Sequence, residues 1–240
     1  MRVLRGRLRG LLLDAFNTLF NAVGLHEEAT RLILAELGLE GLGAREVHEA
    51  WDAEAEALMA ERPHEKFLYF MREGLRRCLA RRGVELSPEQ LEKAMAILVR
   101  VFKDRPTVFE DALDLLEFCR SLGLKMAIVS NAEAEVLNAV LARTGLKGRV
   151  DLVVISDEVG TLKPDPRIFE TALSGLGVGP DEAMMVGDQA VDVEGARRAG
   201  LRTALVLRSP RPSLLAMCPD VVVDDLRALK GLIAALARGA

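Results

Sequence analysis

The feature that most constrains the fold of this chain is an alternation of short apolar runs with amphipathic helical patterns. The apolar runs are candidate strands and occupy residues 8–13, 125–129, 152–155, 183–186, 203–207 and 221–223. Helical patterns lie between and after the later runs, over residues 110–122, 133–144, 167–175, 191–199 and 226–237. Short apolar strands separated by helices are typical of a parallel sheet with helices on both faces. The alternation therefore predicts an α/β fold with a Rossmann-like parallel sheet.

One long segment interrupts this alternation after the first candidate strand. Its helical patterns cover residues 28–37, 44–61, 65–82 and 87–102, and no strand pattern lies among them. The sequence Ser87-Pro88-Glu89-Gln90 is typical of a helix start, with serine as the N-cap and proline in the first turn. We predict an all-helical cap domain, residues 21–105, inserted into a core domain formed by residues 1–20 and 106–240.

Composition argues against several classes of partner. The net charge is −4, with 32 basic and 36 acidic residues, and aromatic residues make up 4% of the chain. Neither a basic nucleic-acid surface nor a base-stacking platform is expected from these values. No apolar run approaches the ~20 residues of a membrane-spanning helix. The three cysteines are far apart and form no CxxC pair, which favours a reducing, cytoplasmic setting.

Polar residues that are capable of chemistry follow four of the candidate strands. They are Asp14, the pair Ser130-Asn131, Lys163, and the pair Gly187-Asp188 together with Asp192. Because the carboxyl ends of parallel strands meet at one edge of a sheet, we expect these side chains to lie close together. A carboxylate, a hydroxyl, a lysine and an acidic pair suit hydrolysis through a covalent aspartyl intermediate with a bound metal ion.

These four segments resemble, in order, the four motifs of the haloacid dehalogenase superfamily of hydrolases. The most specific pieces are residues 162–169, LKPDPRIF, and residues 185–196, MVGDQAVDVEGA. The helical insertion resembles the first type of cap in that superfamily, so the resemblance covers essentially the whole chain. It implies a hydrolase, most simply a Mg²⁺-dependent phosphatase that acts on a small phosphorylated metabolite.

The resemblance also implies catalytic roles. Asp14 would be the nucleophile, and Ser130 with Asn131 would hydrogen-bond the transferring group. Lys163 would neutralise charge on Asp14 and on the phosphoryl oxygens. Asp192 would orient Lys163 or a metal-bound water.

The same resemblance implies a metal site and a substrate-binding segment. Mg²⁺ would be held by Asp14, Asp188 and the backbone carbonyl of Phe16. Phe16, Asn17 and Thr18 would join the catalytic residues at the substrate. The chain departs from the phosphatase pattern at Phe16, where phosphatases of the superfamily carry a second aspartate that protonates the leaving oxygen. General acid–base help of this kind is typically worth ~10²–10⁴ in rate.

Three interpretations remain open at this stage. The first is a Mg²⁺-dependent phosphohydrolase whose substrate has a good leaving group, or whose acid comes from another residue such as Asn17, Asn21 or His26. The second is a 2-haloacid dehalogenase, because halide needs no protonation and that branch carries an aromatic residue at the position of Phe16. The third is a binding protein that retains the fold without catalysis.

Two features weigh against a dehalogenase. That branch replaces Gly187-Asp188 with serine and asparagine, since it uses no metal. It also needs a cap arginine that grips the substrate carboxylate, and neither Arg31 nor Arg45 lies in a pattern that matches. We therefore favour the phosphohydrolase, with a small-molecule substrate and a monomeric or homodimeric state. The histidines His26, His48 and His64 all lie in the insertion and are predicted to be surface residues.

Overall fold

The computed structural model of this chain describes residues 7–62, 65–208 and 211–239. In these residues the regular elements are, in chain order, β1 (Gly10–Leu13), β2 (Phe20–Asn21), α1 (Leu25–Glu36), α2 (Ala44–Glu61), α3 (Phe67–Ala80), α4 (Pro88–Asp104), β3 (Thr107–Val108), α5 (Glu110–Ser121), β4 (Lys125–Ser130), α6 (Ala134–Thr144), β5 (Leu152–Ile155), α7 (Ser156–Val159), α8 (Pro166–Leu176), β6 (Ala183–Gly187), α9 (Ala190–Arg198), β7 (Arg202–Val206), β8 (Val221–Val223) and α10 (Leu229–Arg238). His64 lies outside the described residues.

The chain forms two compact units. The first comprises Met1–Asn21, Thr107–Asn131 and Leu141–Ala240. The second comprises Ala22–Pro106 and Ala132–Val140. The second unit thus takes in the helical insertion and, in addition, most of α6.

A parallel sheet organises the first unit. Among the described residues it has six strands in the order β5-β4-β1-β6-β7-β8, and every neighbouring pair is parallel. The predicted α/β class is therefore confirmed. β1 begins at Gly10 rather than at residue 8, because the amides of Leu8 and Arg9 donate outside the sheet, to the carbonyls of Leu236 and Glu182.

The central strands are buried on both faces, which explains their continuous apolar sequences. Every residue of β1 and β6 is buried. Ile168 and Phe169 of α8 lie in one buried cluster with Leu12 of β1, Ala127 of β4 and Met185 of β6. Complete burial of a Leu or Phe side chain contributes ~1.5–3 kcal/mol, so this cluster stabilises the packing of α8 against the central strands.

A short antiparallel ladder lies at the two ends of the insertion and was not predicted. Phe20 of β2 pairs with Val108 of β3, and Asn21 pairs with Thr107. The amide of Phe109 extends the ladder by donating to the carbonyl of Leu19 at 3.0 Å. Two-residue strands carry too few residues for an alternating pattern to be recognised in the sequence.

The helices of the second unit follow the predicted order. α2 has the predicted bounds, and the capping box at the start of α4 is present: Gln90 N–H donates to Ser87 Oγ, and Ser87 N–H donates to Gln90 Oε1. α3 is two residues shorter than predicted at each end. No helix within the described ranges combines the length and the apolar character that crossing a membrane requires.

α2 and α3 approach each other closely in the second unit. Trp51 of α2 is fully buried, and its Nε1 donates to the carbonyl of Met71 at 2.6 Å. A side chain on Gly74 of α3 would come within 3.1 Å of the Ala55 backbone, so glycine favours this close approach. The packing fixes the orientation of the face of α2 that carries Trp51.

Candidate active site

The carboxyl ends of the central strands bring the predicted acids together. Asp14 directly follows β1, and its amide donates to the carbonyl of Val186 in β6 at 2.9 Å. Asp188 directly follows β6, and Ser130 is the last residue of β4. All three polar side chains are buried, with 7% of Asp14 exposed. These side chains converge because the carboxyl ends of neighbouring parallel strands lie at the same edge of the sheet.

Lys163 is the centre of the cluster. Its Nζ donates to Asp14 Oδ1 and Asp192 Oδ1 at 2.6 Å each, and to the carbonyl of Val129 at 3.1 Å. An ammonium has three donors, so every one of them is used. With 4% of Lys163 exposed, the charged hydrogen bonds are shielded from water. We call Asp14, Lys163, Asp188 and Asp192 the strand-end cluster.

Asn131 holds the loop that carries Lys163. Its Nδ2 donates to the Lys163 carbonyl at 3.0 Å, and its Oδ1 accepts from the Lys163 amide at 2.8 Å. Both ends of the amide side chain are therefore engaged with the Lys163 backbone. This contact gives Asn131 a positioning role, and its predicted hydrogen bond to a transferring group stays a prediction.

Two glycines make room for close contacts of α9, one with its own Asp192 carboxylate and one with the Lys163 loop. The Asp192 Oδ2 accepts from the Gln189 amide at 3.0 Å, which caps α9 and fixes the carboxylate. A side chain on Gly187 would overlap this carboxylate. A side chain on Gly195 would come within 2.9 Å of the Cα of Pro164. Glycine at both positions therefore allows the Lys163 loop and α9 to meet.

Asp188 has an unexpected partner, Arg211. The Arg211 Nη2 donates to Asp188 Oδ2 and to the Asp188 carbonyl, both at 2.8 Å. Oδ1 of the same carboxylate is buried and, among the described residues, has no hydrogen-bond partner. Sequence reasoning missed Arg211, because it is 23 residues away from Asp188 and belongs to no motif.

Burial controls the protonation of this cluster. Desolvation raises the pKa of Asp14 to about 7, although Lys163 opposes the rise, and the charges of Asp192 and Asp188 add to it. Desolvation likewise raises the pKa of Asp188 to about 6, with Asp192 adding to the effect and Arg211 opposing it. For Lys163, burial alone would lower the pKa, but Asp14 and Asp192 outweigh burial and the net pKa is raised. Negative charge is therefore in excess, and an added cation would stabilise the ionised acids.

The residues present fit a magnesium ion. One carboxylate oxygen from each of Asp14, Asp188 and Asp192 lies within 4.8 Å of the others. Mg²⁺ prefers carboxylate oxygens and water. The unpartnered Oδ1 of Asp188 is a buried acceptor that such an ion would satisfy.

The segment after Asp14 is fixed by a second arginine that sequence reasoning missed, Arg208. Its guanidinium donates to the carbonyls of Asn17 and Thr18 at 3.1 and 2.8 Å. It also pairs with both carboxylate oxygens of Asp111 in α5, at 3.0 and 3.1 Å. Asn17 has a φ of 62°, a left-handed conformation that asparagine tolerates better than most residues.

Phe16 lies in this segment as a packed residue. It forms an isolated β-bridge with Phe20, and the two ring centroids are 6.1 Å apart. Thr18 is fully buried. The predicted contacts of Phe16, Asn17 and Thr18 with a substrate stay predictions.

The fold and the strand-end cluster together define an α/β protein with a buried acid–lysine site at the carboxyl ends of its strands. The chain belongs to the haloacid dehalogenase-like hydrolase family, which it matches over residues 8–200. It is a hydrolase, as the resemblance predicts.

Individual relatives include phosphatases and a dehalogenase. A phosphoserine phosphatase of Thermus thermophilus is 40% identical over 139 residues, which span 57% of this chain and little more than half, 56%, of that protein. A glyceraldehyde 3-phosphate phosphatase of Methanopyrus kandleri is 29% identical over 96% of this chain and 99% of its own length. A solved dehalogenase structure is 26% identical, with a TM-score of 0.73 and coverage of 94% of this chain and 96% of that one.

Proposed function

We propose that this hydrolase is a Mg²⁺-dependent phosphohydrolase that acts on a small phosphorylated metabolite through a phosphoryl-Asp14 intermediate. The observation that carries the proposal is the buried carboxylate of Asp188, which offers the unpartnered Oδ1 beside Asp14. A metal-free mechanism has no use for a second buried acid next to the nucleophile. An oxygen-ligated cation explains why both carboxylates are retained.

The proposed reaction uses the residues of the strand-end cluster in two displacements. The Asp14 carboxylate attacks phosphorus, the bond to the leaving oxygen breaks, and its electron pair departs with the leaving group. Water then attacks phosphorus, the bond between phosphorus and the Asp14 oxygen breaks, and its electron pair returns to the Asp14 carboxylate. Both protons of the water leave with the product, dihydrogen phosphate. Lys163, held between Asp14 and Asp192, keeps a positive charge beside the reacting oxygens. When bound, Mg²⁺ would supply further positive charge to the phosphoryl oxygens.

Phe16 restricts the substrates that this site is expected to use. A phenyl ring cannot protonate a departing oxygen, so the leaving group must be stable as an anion. We therefore expect acyl phosphates, phosphoanhydrides and aryl phosphates to react faster than alkyl phosphate esters.

A second candidate, a 2-haloacid dehalogenase, is favoured by Phe16 and by the likeness to the dehalogenase structure. In that reaction Asp14 would attack carbon and displace halide, which needs no acid. Asp188 argues against it, because a metal-free dehalogenase needs no carboxylate there. A dehalogenase would also need an arginine that binds the substrate carboxylate. Arg45 does not suit this role, since it is exposed on α2 and its Nε donates to Glu49 at 3.0 Å. The non-catalytic alternative has no observation that favours it.

We also propose that the helical insertion, residues 21–105, acts as the cap that selects the substrate. A cap that closes excludes water and admits small molecules more readily than polymers. The cytoplasmic location and the oligomeric state remain predictions from the sequence.

Parallel assays test the proposed function. Purified protein is given acetyl phosphate, p-nitrophenyl phosphate or 2-chloropropionate, each with Mg²⁺ or with EDTA, and D14N serves as the control enzyme. Phosphate release that needs both Mg²⁺ and Asp14 is the expected result. Halide release that persists in EDTA would replace the proposal with the dehalogenase.

A further inference from the structure

Two histidines and an aspartate form a cluster in the second unit. His26 belongs to α1, while His48 and Asp52 lie one turn apart on α2. His26 Nδ1 is 2.7 Å from Asp52 Oδ1, and His48 Nδ1 is 3.3 Å from Asp52 Oδ2. His26 and His48, predicted to be surface residues, are partly buried, with 14% and 24% of their side chains exposed. We call these three residues the helical cluster.

Aromatic packing holds the imidazole of His26 in place. Its ring lies edge-on to His48 and to Trp51, with centroid distances of 4.7 and 4.5 Å. Trp51 is itself fixed by its hydrogen bond to the Met71 carbonyl. The α2–α3 contact therefore holds the side chains of the cluster in place before any ligand binds. Binding at the cluster would not carry the entropic cost of ordering these side chains.

Unsatisfied nitrogens distinguish the cluster from an ordinary hydrogen-bond network. His26 Nε2 is buried and has no hydrogen-bond partner among the described residues. His48 Nδ1 is also buried, and although it lies 3.3 Å from Asp52 Oδ2, the two atoms are not aligned for a hydrogen bond. Buried polar atoms without partners are uncommon in proteins, and each one calls for a missing group. One ligand atom from each of His26, His48 and Asp52 lies within 4.8 Å of the other two.

The charge around the cluster also favours a cation. Glu56 lies one turn after Asp52 on α2, and its pKa is raised, first by partial burial and then by the negative charge of Asp52. Two neighbouring carboxylates that repel each other are stabilised by a positive ion between or beside them.

We propose that His26, His48 and Asp52 bind a divalent transition-metal ion, of which Zn²⁺ is the representative, and that this ion links α1 to α2. Two imidazoles and one carboxylate are a donor set that Zn²⁺ and its neighbours accept. Mg²⁺ prefers oxygen donors, so we expect it to bind at the strand-end cluster, while Zn²⁺ binds at the helical cluster. Water fills the coordination positions that the protein leaves open.

The test measures Zn²⁺ binding by calorimetry to the full chain after removal of metals with EDTA. Excess Mg²⁺ is present throughout, so that the strand-end cluster is not available to Zn²⁺. We expect one Zn²⁺ per chain, and the same in D188N, which lacks one acid of the strand-end cluster. H48A and D52N should weaken this binding at least about tenfold. E49Q is the matched control, since Glu49 is an exposed neighbour of His48 on α2.

Thermal stability gives a second readout that does not depend on turnover. Zn²⁺ should raise the Tm of the wild type and of E49Q, because a ligand that binds only the folded state stabilises it, and should not raise the Tm of H48A. His26 packs on Trp51, so H48A and D52N are the informative variants. No Zn²⁺ binding in excess Mg²⁺, or equal affinity in the wild type, H48A and D52N, would overturn the proposal. In that case the cluster serves only to pack α1 against α2.

Discussion

The strand-end cluster and the helical cluster assemble polar side chains in different ways. The strand-end cluster draws on three separate segments: Asp14 follows β1, Lys163 lies in the loop before α8, and Asp188 and Asp192 lie at the end of β6 and the start of α9. The ammonium of Lys163 has carboxylate or carbonyl partners for all its donors. In the helical cluster His48 and Asp52 share one helix, and two imidazole nitrogens make no hydrogen bond to any described residue. The first is an ionic network around a fully hydrogen-bonded ammonium, with Asp188 Oδ1 left for the proposed Mg²⁺. The second contains no lysine or arginine, and its imidazole nitrogens are the donors of the proposed Zn²⁺ site.

Only the strand-end cluster could be predicted from the sequence. Sheet topology forces residues after parallel strands to one edge, whatever the side-chain packing. The meeting of His26 with α2 depends on how helices pack, and a spacing of four residues between His48 and Asp52 is common on any helix. A site formed by loops at strand ends can therefore be predicted from the sequence. A site formed between two packed helices can be found only in the three-dimensional structure.

Replacement of the nucleophile should have the largest effect on turnover. It should abolish catalysis by the strand-end cluster without lowering the stability of the protein. D14N should lower kcat/KM on the order of 10⁴-fold or more, because the attacking carboxylate is gone. The pKa of Asp14 is about 7 in the folded protein and 3.8 in the free side chain, so the folded state binds this proton more tightly than the unfolded state does. The free energy of unfolding therefore falls as the pH rises from 3.8 through about 7. Above that pH the ionised form costs stability, so metal-free D14N should melt no lower than metal-free wild type. Wild-type turnover in D14N would refute the covalent mechanism.

Restoring an acid at position 16 tests whether Phe16 alone limits the substrate range. F16D should raise kcat/KM for an alkyl phosphate by about 10²–10⁴, with little gain for acetyl phosphate, whose leaving group needs no proton. F16L is the control, since it removes the ring without adding an acid. If F16D and F16L have the same kcat/KM on alkyl phosphates, an acid at position 16 is not the missing group, and other residues of the pocket exclude these substrates.

Removal of the central ammonium tests the claim that the strand-end cluster is a mutually dependent network. K163M leaves the buried carboxylates of Asp14 and Asp192 without their shared partner and should cost about 3–5 kcal/mol of unfolding free energy. K93M removes a lysine from an exposed pair with Glu89 and should cost less than about 1 kcal/mol. Urea denaturation measures both. Similar losses for the two variants would show that burial adds nothing to the Lys163 network.

The smallest expected effect concerns Arg211, whose positive charge pairs with Oδ2 of the Asp188 carboxylate that would hold a cation through Oδ1. R211Q removes a partly exposed competitor for the Asp188 oxygens and should tighten Mg²⁺ binding, measured by calorimetry, by up to about fivefold. R198Q, which breaks an exposed pair with Glu194, should leave Mg²⁺ affinity unchanged. Weaker Mg²⁺ binding in R211Q would instead mean that Arg211 holds Asp188 in the orientation that the metal needs.

Much of the fold and the centre of the site followed from sequence patterns. The strands at 152–155 and 221–223 and the helix at 44–61 have their predicted bounds, because apolar periodicity reports burial directly. Arg208 and Arg211 were missed, because their partners are backbone carbonyls and acids far along the chain. Such contacts depend on where loops cross, and no local spacing encodes that.

The most direct test of the central claim is a chemical quench of the enzyme during turnover of acetyl phosphate with Mg²⁺. Mass spectrometry of the peptide that contains Asp14 should find one added phosphoryl group on that residue. The adduct should be absent in EDTA and in D14N. Phosphate release that continues without any adduct on Asp14, or an organic ester on Asp14 formed from 2-chloropropionate in EDTA, would contradict the account.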